Sequence, residues 1–155
     1  EIQVLRVVLK ECGLVKTRLG KMSLTAKGKK LLTDHNELMR TIMLFLLRDY
    51  NTGWLDLYEE TEPGNLGRAY SLWLLHHYGT DWRDTSFYAN EYYKAFPTLQ
   101  GSNAYEYRVF NRLFRFIGIC EINESEDFRG PTFGRKTRKT DILNIMFSFE
   151  EPKST

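Results

Sequence analysis

Cysteine and histidine are scarce in this chain, with two of one and three of the other among 155 residues. Two cysteines cannot build the disulfide framework of a small secreted domain. Cys12 and Cys120 each stand near a glycine that ends an apolar helical segment, where a free thiol behaves as a small hydrophobe, so both are expected to be unpaired and buried. His35, His76 and His77 have no cysteine or carboxylate at ligand spacing, which leaves no metal site to expect and makes them ordinary helix residues. Long hydrophobic runs are missing as well. The longest, Ile42 to Leu47, is far too short to span a bilayer, and the N-terminus lacks the charged and apolar regions of a secretory signal. The expectation is a cytoplasmic protein without a membrane partner. Asp81 with Asp84, or His76 with His77, would suit general acid and base work, but no nucleophile elbow, phosphate loop or metal pattern accompanies them. Asp81 and Asp84 read as turn and helix-start residues before Ser86, and no catalytic residue or cofactor is expected.

What the chain does have is rings and an uneven distribution of charge. Ten Phe, nine Tyr and three Trp, with 42% hydrophobic and 27% charged residues, describe a folded protein with an aromatic core. Its length suffices for one well-buried domain or two small ones. A net charge of +2 conceals 8 basic and 2 acidic residues up to Leu32, 5 and 10 from Thr33 to Gln100, and 9 and 8 beyond. The basic end is N-terminal, and the acidic middle is a candidate partner for it, within the chain or between copies.

One pattern occurs twice. LRVVLKECGLVKT, Leu5 to Thr17, aligns without gaps on FNRLFRFIGICEI, Phe110 to Ile122; after a hairpin, LTAKGKKLL from Leu24 falls on KTDILNIMF from Lys139. Each copy is an amphipathic helix, a glycine stop, a hairpin and a threonine that opens another helix. In the first copy Val4, Leu5, Val8, Leu9 and Cys12 recur at helical spacing until Gly13, and Leu14 to Arg18 and Met22 to Thr25 flank a turn at Leu19, Gly20 and Lys21. The helix is already under way at Glu1, so the chain is expected to be part of a longer protein or its first unit to be incomplete.

Asp34 and Glu37 form a capping-box-like start for a helix to about Tyr50, dense enough in apolar residues that most of its surface is expected to be buried. Thr52 to Asn65 is rich in Asp, Glu, Pro and Gly, yet Trp54, Leu55, Leu57 and Tyr58 suggest that it packs down. Helices are then predicted over Leu66–Tyr78 and Ser86–Phe96, where Pro97 follows. Asn103 with Glu106 starts a third, ending at Ile117 before Gly118. Ile119–Asn123 and about Thr132–Arg138 form a second hairpin, and Thr140 to Phe147 a last short element. The organisation is a partial unit plus following helix at 1–50, a packed connection at 51–65, a second unit at 66–149 and a tail at 150–155.

Helix, helix, helix and hairpin is the order of a winged helix. The fold expected is mainly α with small antiparallel β-hairpins, two tandem winged-helix-like units of which the first is incomplete at its N-terminus. GLVKTRLGKMSLTAKGKKLL looks like the wing and following helix of many bacterial winged-helix proteins. Together with YSLWLLHHYGTDWRDTSFYANEYYKAFP and YEYRVFNRLFRFIGICEI it resembles the helical region of the plasmid ORF-three-like family of bacterial proteins. The resemblance implies a bacterial, mobile-element origin and a longer parent protein, and supplies no catalytic residues.

Arg108, Arg112 and Arg115 fall at i, i+4 and i+7 of the predicted third helix of the second unit, one stripe at about 100° per residue, opposite Phe110, Leu113, Phe114 and Ile117. A winged helix presents its recognition helix there, and arginine forks onto guanine or phosphate. Tyr105 and Asn111 flank the stripe; Arg135, Lys136, Arg138 and Lys139 follow on the second hairpin, and Lys16, Arg18 and Lys21 lie on the first. Glu121, Glu124, Glu126 and Asp127 oppose such a role for the second hairpin, because carboxylates repel phosphates. In the first unit the stripe positions hold Gln3, Val7 and Lys10, so neither unit alone is a complete reader. The leading expectation is duplex DNA binding through the Arg108 helix and basic segments; the alternative is a module that binds a protein partner or a second copy. The first requires the three arginines exposed on one face, the second a large apolar patch around the aromatics between Trp54 and Trp82.

Overall fold

In the computed structural model the chain divides into two compact units, residues 1–50 and 51–155. The structure describes residues 2–55, 62–100, 104–123 and 135–150, and for Trp54 and Leu55 the backbone only. The described residues are mainly helical, with one two-stranded and one three-stranded antiparallel sheet.

The first unit runs α1 (Ile2–Glu11), β1 (Val15–Arg18), β2 (Lys21–Leu24), α2 (Ala26–Leu31) and α3 (His35–Arg48). At the end of α1 the Gly13 amide donates to Lys10 O (2.9 Å) and the Leu14 amide to Leu9 O (2.9 Å), with Gly13 at φ +70. This is the Schellman ending, which needs a left-handed residue and so favours glycine. The strands pair Val15 with Leu24 through Arg18 with Lys21. Thr25 then caps α2: its Oγ1 accepts from the Gly28 amide at 3.0 Å and donates to Gly13 O at 2.7 Å. Gly28 lies against the backbone of Leu14, where an added Cβ would come within 2.1 Å of the carbonyl oxygen. Asp34 caps α3 through the Glu37 amide, as its sequence position predicts.

The second unit contains α4 (Arg68–Tyr78), β3 (Arg83–Asp84), α5 (Thr85–Ala95), α6 (Ala104–Glu106) running into a π-helix (Tyr107–Phe114), β4 (Cys120–Asn123), β5 (Lys136–Lys139) and α7 (Asp141–Met146). Its sheet order is β3-β5-β4. Thr137 on the central strand is fully buried, and its Oγ1 meets Thr85 Oγ1 at 2.8 Å, tying α5 to the sheet. The core is aromatic, as composition predicts. Tyr92 and Tyr105 stack at 3.9 Å between centroids, Phe110 meets both Tyr88 and Phe114, and the buried hydroxyl of Tyr105 donates to Ser71 Oγ at 3.0 Å.

The internal repeat holds at the level of single hydrogen bonds. The Gly118 amide donates to Arg115 O (3.1 Å) and the Ile119 amide to Phe114 O (3.0 Å), with Gly118 at φ +79. Thr140 Oγ1 donates to Gly118 O at 2.7 Å, and the Thr140 amide to Ile119 O at 3.0 Å, matching the Thr25 amide on Leu14 O at 3.0 Å. Burial is repeated less well. Phe110, Leu113 and Phe114 are buried, whereas of their counterparts only Val8 is, and Leu5 is 45% exposed. The α1 helix packs in a small unit that has fewer elements to cover it.

Other expectations need correction. Most of α3 is not buried: only Met43 and Leu46 are, while Met39 and Leu44 are exposed. The two-residue strand β3 is too short to leave a period-2 pattern in the sequence. Asn103 lies outside the described residues, as do Leu57, Tyr58 and Thr132. At the described ends of the predicted connection the Thr52 amide and hydroxyl both donate to Asn65 Oδ1, at 3.0 and 2.9 Å, and Thr52 is fully buried. Cys12 and Cys120 are free and buried, as predicted.

The paired threonine latches should have comparable energies. Thr25→Val and Thr140→Val remove one hydroxyl each without changing shape, and each is expected to cost about 1 kcal/mol in urea denaturation, with the larger loss at Thr25, which also caps a helix. A neutral Thr25→Val would show that the hydroxyl does not hold the hairpin to its helices.

Candidate functional site

The cations proposed from the sequence are placed in very different surroundings, and the helix carrying the arginine stripe is the largest departure. From Tyr107 to Phe114 the chain is a π-helix, its bonds running i to i+5, as in the Arg115 amide donating to Phe110 O at 3.0 Å. Such a helix has more residues per turn than the 3.6 of an α-helix, so positions 108, 112 and 115 no longer share a stripe. Arg108 is 1% exposed. Its Nη1 donates to Pro63 O at 2.9 Å, its side chain lies against Gly64, and Cβ atoms at Gly53 or Gly64 would each come within 2.9 Å of it. The requirement of three exposed arginines is therefore not met: Arg108 is a packing residue that fastens Gly53, Pro63 and Gly64 to the π-helix. Arg112 is half-buried over the Tyr107 ring at 4.9 Å, a contact between residues five apart, and only Arg115 is exposed. Tyr105 is fully buried in the core and is no surface contact either.

Helical periodicity put Arg108 outside because it falls opposite Phe110, Leu113, Phe114 and Ile117 at about 100° per residue. One partner of its guanidinium is a backbone carbonyl oxygen, Pro63 O, and the small residues Gly53 and Gly64 leave room for its guanidinium and stem.

Asn111 and Arg135 belong to another feature. With Thr85, Glu106, Phe110 and Ile122 they line a cavity of about 10 Å³, the space of a single water. Glu106 Oε2 and Asn111 Oδ1 are buried there with no hydrogen-bond partner among the described residues. Burial pushes the Glu106 carboxyl up to about 7, against the opposing pull of the Arg135 guanidinium. Glu106 was read from the sequence only as a helix-start residue.

On the second hairpin the remaining cations are largely occupied. Arg138 pairs with Glu121 at 2.7 Å and lies over the Trp82 ring at 4.8 Å, and Lys139 Nζ donates to His76 O at 2.6 Å. Lys136 is exposed. Glu124, Glu126 and Asp127 lie outside the described residues. Asp81 and Asp84 are exposed, His76 stacks on Phe149, and His77 stacks on Trp73.

The first hairpin differs. Lys16, Arg18 and Lys21 are all exposed, and the register places Lys16 opposite Ser23 and Arg18 opposite Lys21, so these four side chains share one face. No carboxylate stands on either strand. Among the described residues none forms an ion pair with these three cations. Lys27, by contrast, is turned inward, its Nζ donating to Cys12 O at 2.9 Å at the end of α1. No described helix is long and apolar enough to cross a membrane, and the described residues hold no group of three or more potential metal ligands. Comparison with protein-family models, curated proteins and solved structures finds no match to the chain.

Two tests follow from the buried charges. The folded-state carboxyl of Glu106 sits at about 7 against an ordinary value of 4.5. Between these values the unfolded chain has lost its proton while the folded one retains it, so stability falls as pH rises from about 4.5 to 7 and is level above, at no more than about 1.4 kcal/mol per pH unit. The difference between wild type and Glu106→Gln in denaturation should follow that window; a constant difference would mean that the carboxyl titrates normally. Arg108→Ala should cost about 3 kcal/mol or more by leaving Pro63 O unpaired and a void between two glycines, while leaving any DNA affinity of the folded protein unchanged. A stable variant with weakened binding would return Arg108 to the surface.

Proposed function

We propose that the chain is a duplex-DNA-binding protein that uses the β1–β2 hairpin as its main contact, and that both units are winged-helix units. The observation that carries the DNA reading is the carboxylate-free face of Lys16, Arg18 and Lys21, exposed on a two-stranded hairpin in the segment where the chain's positive charge is concentrated. A cluster of one sign without intramolecular ion pairs raises the local concentration of a polyanion and releases its counterions on binding. Arg115 and Lys136, both exposed in the second unit, supply secondary contacts. The winged-helix reading is supported by the order helix, strand, helix, helix, strand, strand in the second unit and by the repeat of its helix-to-hairpin turn in the first. The mobile-element origin implied by the sequence resemblance belongs to the same proposal. Catalysis is no part of it.

A second reading, a module for binding protein, is favoured by a separate observation. Ile2, Leu5, Leu24, Leu32, Met39 and Leu44 are all exposed within the first fifty residues and offer apolar side chains to a partner.

Titration of a fluorescent duplex with the full chain separates the two. With binding to the phosphates alone the expected dissociation constant is about 10⁻⁴ to 10⁻⁶ M, weakening steeply between about 50 and 200 mM salt. Replacing Lys16, Arg18 and Lys21 together by alanine should lower the slope of log K against log salt by about 0.9 for each phosphate that is no longer neutralised, whereas Arg112→Ala should change it little. Absence of binding at low salt, or an unchanged slope in the triple variant, would transfer the lead to the protein-binding reading.

A further inference from the structure

The turn that joins β1 to β2 is built around a residue that stability does not explain. Arg18 and Lys21 close a two-residue loop in which Leu19 has φ +51 and Gly20 φ +73. Two successive positive φ values make a type I′ turn, whose first position favours Asn, Asp or Gly; a leucine is forced there into the left-handed region that its Cβ disfavours. The strain is not repaid by packing, since Leu19 is 93% exposed and is the most exposed of the chain's large hydrophobic side chains among the described residues. A strained backbone carrying an unpacked apolar side chain points from structure to use.

Resting on the DNA-binding reading, we infer that Leu19 is a wedge that enters the minor groove at the tip of the hairpin and unstacks a base step, with Arg18 and Lys21 on the phosphates to either side. Neighbouring strands lie about 4.8 Å apart, so with side chains the ribbon is broader than a minor groove of about 6 Å and only its turn can enter. The residue at the head of that turn is Leu19. An apolar side chain inserted between bases exchanges stacking for a kink that brings more phosphate within reach of the flanking cations. The same pattern of a lone leucine in a basic collar also suits an anionic bilayer surface. One leucine buries too little apolar area to hold a protein there, however, while a single wedge is what one base step accommodates.

The test uses the 155-residue chain and a duplex with 2-aminopurine at a central TA step, which is easily unstacked. Wild type is expected to raise the 2-aminopurine fluorescence about twofold or more and to bind a duplex with a central mismatch, where unstacking is already cheap, about tenfold more tightly than the matched one. Leu19→Asn suits the turn better, so the hairpin is retained, and should keep the salt slope while losing both the fluorescence rise and the mismatch preference. Leu19→Met should keep both. Binding without unstacking, or unstacking by Leu19→Asn, overturns the wedge and leaves the DNA-binding reading standing. No binding to any duplex overturns both. Leu19-dependent sedimentation with phosphatidylserine-containing vesicles, without unstacking of DNA, overturns the wedge in favour of a lipid surface.

Discussion

A threonine hydroxyl held on a glycine carbonyl, 2.7 Å away in both units, sets the geometry on which each hairpin depends. The glycine ends a helix by turning left-handed, the next residue begins a strand, and the threonine that follows the returning strand reaches back to the glycine before starting its own helix. The loop is thereby closed at its base; in the first unit the hairpin beyond it projects into solvent, whereas in the second β5 is packed, with Thr137 buried and β3 paired to it. That is why β1 and β2 keep an ordered register although seven of their eight residues are exposed. Projection is a consequence of the latch and needs no hydrophobic contact along the ribbon.

This part of the fold was legible in the sequence because its signals are local and positional. Gly13, Gly118 and Asp34 act within a few residues of their own place in the chain, and Thr25 and Thr140 stand where a returning strand meets a helix start, so a pattern of residue types suffices to locate them. The gap-free alignment of Leu5–Thr17 on Phe110–Ile122 corresponds to the same backbone bonds in the two units. What the pattern could not carry was the pitch of the third helix in the second unit. Phase arguments assume about 100° per residue, and the π-helix at Tyr107–Phe114 alters the phase without changing which residues are apolar. Of the residues opposite the stripe, Phe110, Leu113 and Phe114 are buried as periodicity predicts and Ile117 is half-buried; the errors fall on Arg108 and Tyr105, which are buried, and on Arg112, which is half-buried.

Arginine at that place shows how a charged side chain misleads a sequence reading. A guanidinium has five donors, and in the described structure a backbone oxygen from a Pro-Gly turn takes one of them, at an address forty-five residues away. Nothing near Arg108 in sequence announces that partner. The carboxyl of Glu106 presents the converse case: Arg135, just before β5, lines the same cavity, and a buried oxygen of Glu106 remains without a hydrogen bond among the described residues. Both groups take part in the interior of the second unit, and the charge counted there from composition overstates what reaches its surface.

The distribution of cations between the units then decides which surface is available to a polyanion. In the second unit Arg108 is enclosed, Arg112 covers a tyrosine ring, Arg138 neutralises Glu121 and Lys139 bonds to a helix carbonyl. The first unit has too little interior to absorb its cations in this way, and Lys16, Arg18 and Lys21 remain in solvent on one side of a narrow ribbon. Formal charge in the C-terminal third, 9 basic residues against 8 acidic, and in the N-terminal segment, 8 against 2, therefore understates the real contrast in accessible potential. A phosphate backbone approaching the first unit meets a field set by the ribbon's cations, and in that field stands Leu19, the most exposed large hydrophobic side chain among the described residues.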